Sequence, residues 1–236
     1  MATLYAGTSG FAYSAWKPAF YPARLPARQF LTHYSARLNC VEINYTFRRL
    51  PAAATLAAWI EAVRPEFVFA VKANMRITHI LRLKDAKQAT EAFLKAIDPL
   101  RATRRLGPIL FQLPPNMKRD TAVLRDYLAL LPNGLRYAFE FRHESWLADE
   151  VYDALRARNV SLCVAASEKL EIPEVITADF VYFRLRKPDY SEADIGVFAA
   201  RAKELLATGR DLYAIFKHEE TPQGALQAES LLAQVP

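Results

Sequence analysis

Several charged and amide side chains in this sequence stand where they could meet and do polar chemistry: Glu42, Lys72, Gln112, Glu140, Arg142, Arg184 and Lys217. Each sits at or beside the end of a short apolar run, on the opposite parity from its bulky residues. In Tyr137-Ala138-Phe139-Glu140-Phe141-Arg142 the aromatics alternate with Ala138, Glu140 and Arg142. A strand here sends the two sets to opposite faces. A carboxylate and a guanidinium that face inward are costly to bury unpaired, so each other, water or a ligand must meet them. Lys72 ends Phe69-Ala70-Val71-Lys72, a place from which an amine could form a Schiff base or hold a phosphate. An ion pair with Glu42 or Glu140 is its structural alternative. Glu140 could serve as general acid or base, with its pKa set by burial against Arg142 and Lys72. Surrounding cations favour the ionised form, and with it a base or orienting role. His79 follows Thr78 just beyond the third run and could shuttle protons, although loop histidines commonly cap a turn or face water. Glu140, Lys72 and His79 are the candidate catalytic residues.

The candidate binding residues are Glu42, Asn44, Gln112, Arg142, Trp146, Trp16, Arg184 and Lys217. Arg184, Arg186, Lys187 and Lys217 cluster late in the chain, and guanidinium forks suit phosphate or carboxylate oxygens. Arg184 and Lys217 fit the inward parity, whereas Lys187 reads as a solvated rim. An early loop carries Phe11, Tyr13, Trp16, Phe20 and Tyr21. Most of these aromatics suit a hydrophobic plug, and Trp16 and Trp146 are kept for stacking on a ligand. His33 lies in a helical stretch and receives no role. Only Glu42 and Glu140 are inward carboxylates, and cations face them. HxH, HExxH, CxxC and P-loop patterns are all missing, so neither a metal nor a cofactor is expected.

The elements that must position these groups follow from periodicity. Strand-like runs occur at 4–8, 40–44, 67–72, 108–113, 137–142, 161–165, 180–185 and 212–216. Amphipathic helical stretches lie between them, at about 27–38, 52–63, 86–100, 120–131, 147–158, 192–207 and 224–233. The gap 166–179 is short and holds Pro173, so the sixth helix is expected to be short or missing. Strands that alternate with helices make a parallel sheet, and eight such units close into a (β/α)8 TIM barrel. An open doubly wound sheet would want a glycine-rich first turn at a helix start. Here Gly7-Thr8-Ser9-Gly10 leads into the aromatic loop instead. The 236 residues, 52% of them hydrophobic, suit a single domain over 1–236. No apolar run approaches membrane-spanning length and no secretory leader is visible. The two cysteines, Cys40 and Cys163, lack metal or redox spacing. A cytoplasmic location is expected.

The motifs Gly7-Thr8-Ser9-Gly10, Val41-Glu42-Ile43-Asn44-x-Thr46-Phe47, Phe69-Ala70-Val71-Lys72, Thr78-His79, Leu110-Phe111-Gln112-Leu113-Pro114-Pro115 and Glu140-Phe141-Arg142-His143-x-Ser145-Trp146 resemble the DUF72 family of YecE-like proteins. They occur in the family's order over essentially the whole chain. The resemblance implies a TIM barrel and a bacterial or archaeal cytoplasmic protein, and it implies no assigned reaction. The chain departs from the common pattern at Arg48, at Ala166, at Arg186-Lys187 and at Lys217-His218-Glu219. The last of these resembles a subgroup with Phe-Lys-His-Glu after strand eight.

Three function classes follow. The first, which is preferred, is a protein that binds an anionic small molecule at the barrel mouth, with acid/base chemistry by Glu140 and Lys72. The second is nucleic-acid binding by a basic rim and aromatic loop. The net charge of +6 allows it, but helices that mix acids with bases argue against a contiguous basic face. The third is a non-catalytic binding or scaffold barrel. Whether the protein is an enzyme, and its oligomeric state, stay open. A site open to water and ligand also implies that Glu140→Gln changes stability little.

Overall fold

In the computed structural model the apolar runs become eight parallel strands, each paired with its sequence neighbours. The structure describes residues 2–165, 170–187, 190–217 and 220–235. The strands are β1 (Leu4–Ser9), β2 (Cys40–Ile43), β3 (Val68–Lys72), β4 (Leu106–Gln112), β5 (Tyr137–Glu140), β6 (Ser161–Ala165), β7 (Phe180–Leu185) and β8 (Asp211–Phe216). They close into a barrel in chain order: Gly7 of β1 stands opposite Cys40 on one side and Ile215 on the other. The helices are α1 (Phe30–Arg37), α2 (Tyr45–Arg48), α3 (Ala53–Ala62), α4 (Lys87–Ala102), α5 (Thr121–Leu130), α6 (Asp149–Arg156), α7 (Glu192–Ala207) and α8 (Gln223–Gln234).

Strand parity divides the core in two. Outward residues such as Val41, Phe69, Phe111, Phe139 and Phe183 pack against the helices in one continuous apolar shell. Inward residues, among them Cys40, Ala70, Leu110, Ala138, Cys163, Tyr182 and Ile215, fill the barrel itself. At the amino ends of the strands the interior is closed by aromatics. Tyr5 stacks on Tyr213 at 4.7 Å, and Arg136 bonds Asp211 at 2.7 Å. The carboxyl ends are left for polar groups.

Close packing explains one glycine. A Cβ at Gly7 would stand 1.8 Å from the carbonyl oxygen of Cys40, so β1 and β2 leave no room for a side chain there. The same oxygen accepts from the Tyr34 hydroxyl of α1 at 2.9 Å, and that hydroxyl accepts from the Thr8 amide at 2.8 Å. One tyrosine thereby locks a helix across two strands.

The structure adjusts the expected boundaries. The first helix begins at Phe30 rather than near 27, because Ala27–Gln29 form a 3-10 turn after Pro26. The short α2 replaces an expected loop. β5 stops at Glu140, two residues early, so Arg142 projects from a loop and not from the strand. No helix is found among the described residues 170–179. Ala166, His218 and Glu219, where the sequence departs from the family pattern, lie outside the described residues. No described helix is long and apolar enough to cross a membrane.

Candidate functional site at the carboxyl end of the barrel

The inward residues at the ends of β2, β5 and β7 form one ion cluster. Arg184 reaches Glu42 Oε1 through Nη2 at 2.6 Å and Glu140 Oε2 through Nη1 at 2.6 Å. All three residues are essentially without exposure, at 1%, 0% and 0%. Glu42 is satisfied further by the Tyr182 and Ser9 hydroxyls, each donating at 2.9 Å. Asn44 Nδ2 donates to the same Ser9 oxygen at 2.5 Å. Glu140 Oε1 takes two more cations, Arg142 Nε at 2.6 Å and Arg186 Nη2 at 3.3 Å. Gln112 Oε1 accepts from Lys72 Nζ at 2.9 Å and from Arg142 Nη2 at 3.2 Å. Glu42, Asn44, Lys72, Gln112, Glu140, Arg142 and Arg184 therefore stand in one bonded network, as strand parity predicts.

Local structure holds Lys72 in place. Thr46 of α2 donates to the Lys72 carbonyl at 2.6 Å, and Asn74 Nδ2 donates to the Thr46 carbonyl at 2.9 Å. This clamp brings Phe47 of α2 under the amine, 4.3 Å from Nζ to the ring centre. His79 sits edge-on to the same ring at 5.0 Å, with Thr78 Oγ1 2.8 Å from its Nδ1. Phe47 thus touches both the histidine and the lysine.

The charges are unevenly matched. Among the described residues of this cluster two carboxylates, Glu42 and Glu140, face four cations, Arg142, Arg184, Arg186 and Lys72. Burial would raise the Glu140 carboxyl, but Arg184, Arg186 and Arg142 pull it down to about 2. Burial likewise opposes ionisation of Glu42, and Arg184 overrides it, so that pKa also falls below its ordinary value. Burial first, and then the nearby Arg184, bring the Lys72 amine down to about 8, despite the attraction of Glu42 and Glu140. Arg186 is lowered by burial too, with Arg184 and Arg142 adding repulsion against the pull of Glu140. Burial, together with Lys72 and Arg142, lowers His79 and favours its neutral form.

A cavity of about 390 Å³ opens beside this cluster. Glu140, Arg142, His143 and Arg186 supply its polar wall, and Leu170 and Ile172 part of its apolar one. The loop after β5 is pinned from behind. Trp146 stacks on Phe141 at 4.8 Å and donates from Nε1 to the Met117 carbonyl at 2.7 Å. The Ser145 hydroxyl accepts from the Arg119 amide at 2.9 Å, and the Ser145 amide donates to His143 Nδ1 at 3.1 Å.

Three sequence expectations change here. Trp146 and Trp16 have 0% exposure and present no ring face to a ligand. Trp146 props the loop, and Trp16 packs with Tyr13, Phe20 and Tyr21 in the aromatic plug. Arg184 does not offer its fork to the mouth, because both terminal nitrogens are spent on buried carboxylates. Glu140, with both oxygens engaged and its pKa near 2, is an anchor for guanidinium groups and a poor proton acceptor. Lys217 follows β8, half-buried, with its amide on the Leu185 carbonyl at 2.9 Å. Sequence reasoning ranked Arg186 below Arg184. Its parity, two residues beyond Arg184 and just past the end of β7, was the available signal that it also points inward. Leu170 and Ile172 carried no such signal.

The chain matches the family described as protein of unknown function DUF72 over residues 5–236. It belongs to the DUF72 family. A DUF72 family protein of Thermotoga maritima superposes with a TM-score of 0.86 at 28% identity, covering 99% of each chain. Another, from Enterococcus faecalis, gives a TM-score of 0.77 at 17% identity, covering 99% of this chain and 98% of that one. A methyltransferase from Methanosarcina mazei shares only the fold, with a TM-score of 0.51 at 11% identity over 99% and 93% of the two chains. Comparison with the curated proteins finds no match. The motifs on which the DUF72 resemblance rested supply most of the ion cluster: Glu42, Asn44, Lys72, Gln112, Glu140 and Arg142.

Proposed function

We propose that this DUF72 protein binds an anionic small molecule, bearing a phosphate or carboxylate, in the cavity at the carboxyl end of its barrel. The observation that carries the reading is the excess of cations over carboxylates in the cluster, with Arg142 and Arg186 both on the cavity wall. Among the described residues, two positive charges of the four stay uncompensated within it. A bound anion would supply what they lack, in a partly dry site where charge-assisted hydrogen bonds are strong. Arg186 Nε adds to this, as a buried donor without an acceptor among the described residues. Glu144 also lines the cavity, but it is exposed, and water and salt weaken its opposing charge.

Glu140 acts in this reading by aiming Arg142 and Arg186 rather than by moving a proton. The nucleic-acid alternative loses support, because cations on the helices pair with acids. Arg101 meets Asp98 on α4 at 2.7 Å, and Arg156 meets Asp153 on α6 at 2.7 Å. Titration calorimetry with inorganic phosphate tests the proposal. Saturable one-site binding is expected, weakened at least tenfold in Arg142→Met/Arg186→Met. Equal affinity in the two proteins would show that phosphate binds elsewhere.

A further inference from the structure

Lys72 stands apart from the other cations of the cluster. Arg142, Arg184 and Arg186 each touch a carboxylate, whereas the Lys72 amine donates to the neutral amide oxygen of Gln112. Among the described residues no carboxylate lies within 4.0 Å of it. Lys72 is half-buried, and its amine rests against the face of Phe47. It shares the Gln112 oxygen with Arg142, which makes it a direct neighbour of the cavity's anion-facing wall. An amine in that position is held near a bound anion without being used up by an ion pair.

We propose that Lys72 is the nucleophile of this site and condenses with the carbonyl carbon of an anionic oxo compound, a 2-oxo acid or a phosphorylated aldehyde or ketone, whose anionic group rests on Arg142 and Arg186. The substrate class rests on the anion reading above.

The chemistry needs no group beyond those present. The neutral amine's lone pair forms a C–N bond while the carbonyl π pair moves to oxygen. A proton passes from nitrogen to that oxygen to give a carbinolamine. Protonation of its hydroxyl by solvent then releases water as the C=N bond forms, and the iminium nitrogen gives that proton back to solvent. Amine and carbonyl become imine and water, with no change of oxidation level. The requirement is an amine that can lose its proton near neutrality, and burial among cations, which brings Lys72 to about 8, meets it. The neighbouring guanidinium groups remain charged at such pH and keep holding the anion.

Borohydride trapping tests this on the full chain. The protein is incubated with pyruvate or glycolaldehyde phosphate, with acetone as the neutral control, then reduced and mapped by mass spectrometry. One adduct is expected, on the peptide that carries Lys72, at least tenfold above the acetone control and above any other lysine. It should vanish in Lys72→Met and in Lys72→Arg, which keeps the charge but cannot condense. Labelling that spreads over surface lysines, or that survives in both variants, overturns the assignment. In the wild-type protein, phosphate binding by calorimetry without any adduct overturns the Lys72 role alone. Absence of both in the wild-type protein overturns the anion reading with it.

Discussion

Glu140 gathers three guanidinium groups onto one carboxylate inside the barrel, and its removal would leave Arg184 buried with half its compensation gone. Breaking a buried pair in this way costs about 3–5 kcal/mol. Glu140→Gln is therefore expected to lower the unfolding free energy by about that amount at pH 7, read from denaturant melts. This reverses the expectation, drawn from an open site, that the change would be mild. The sign of the pH dependence follows from the depressed pKa. The folded carboxyl titrates at about 2 and the unfolded one near 4.5, so its stabilisation is complete above 4.5 and fades as pH falls towards 2. Glu42 shifts in the same direction. Wild-type stability should drop across that window, and Glu140→Gln should drop less steeply. A variant as stable as the wild type, with an unchanged acid profile, would show that the cluster is solvated in solution.

At the scale of elements, the loop after β5 shows what periodicity reveals and what it cannot. Alternation in Tyr137 to Arg142 placed Glu140 on the inner face, because a strand repeats every two residues whatever surrounds it. It carried no word on Trp146, whose place depends on Phe141 behind it and the Met117 carbonyl across a loop. Packing partners distant in sequence decide whether an aromatic meets a ligand or the core. Trp146→Ala should cost about 3–5 kcal/mol as a core truncation, and should also weaken phosphate binding by loosening the segment that carries Arg142 and His143. A ligand-stacking tryptophan would instead lower affinity and leave the melting curve nearly untouched. Eight strands and most helices were legible for the same reason as Glu140: βα repetition is written locally. The pairing of Arg184 with Glu42 and Glu140 was not, since it joins three strands through the barrel's centre.

Across the whole molecule, the barrel separates two kinds of interior. The amino end is closed by Tyr5, Tyr213 and the Arg136–Asp211 pair. The carboxyl end keeps its polar groups in a network that, among the described residues, has more positive than negative charge. This matches the rule that sites in such barrels form at the carboxyl ends of strands. The central claim is that an oxyanion settles between Arg142 and Arg186, and the most direct test is a crystal of the protein soaked in sodium tungstate, a phosphate-like ion with strong anomalous scattering. The account predicts an anomalous peak in the cavity, with tungstate oxygens within hydrogen-bond reach of both guanidinium groups. Peaks confined to basic residues on the outer helices, with this cavity empty at saturating tungstate, would contradict it.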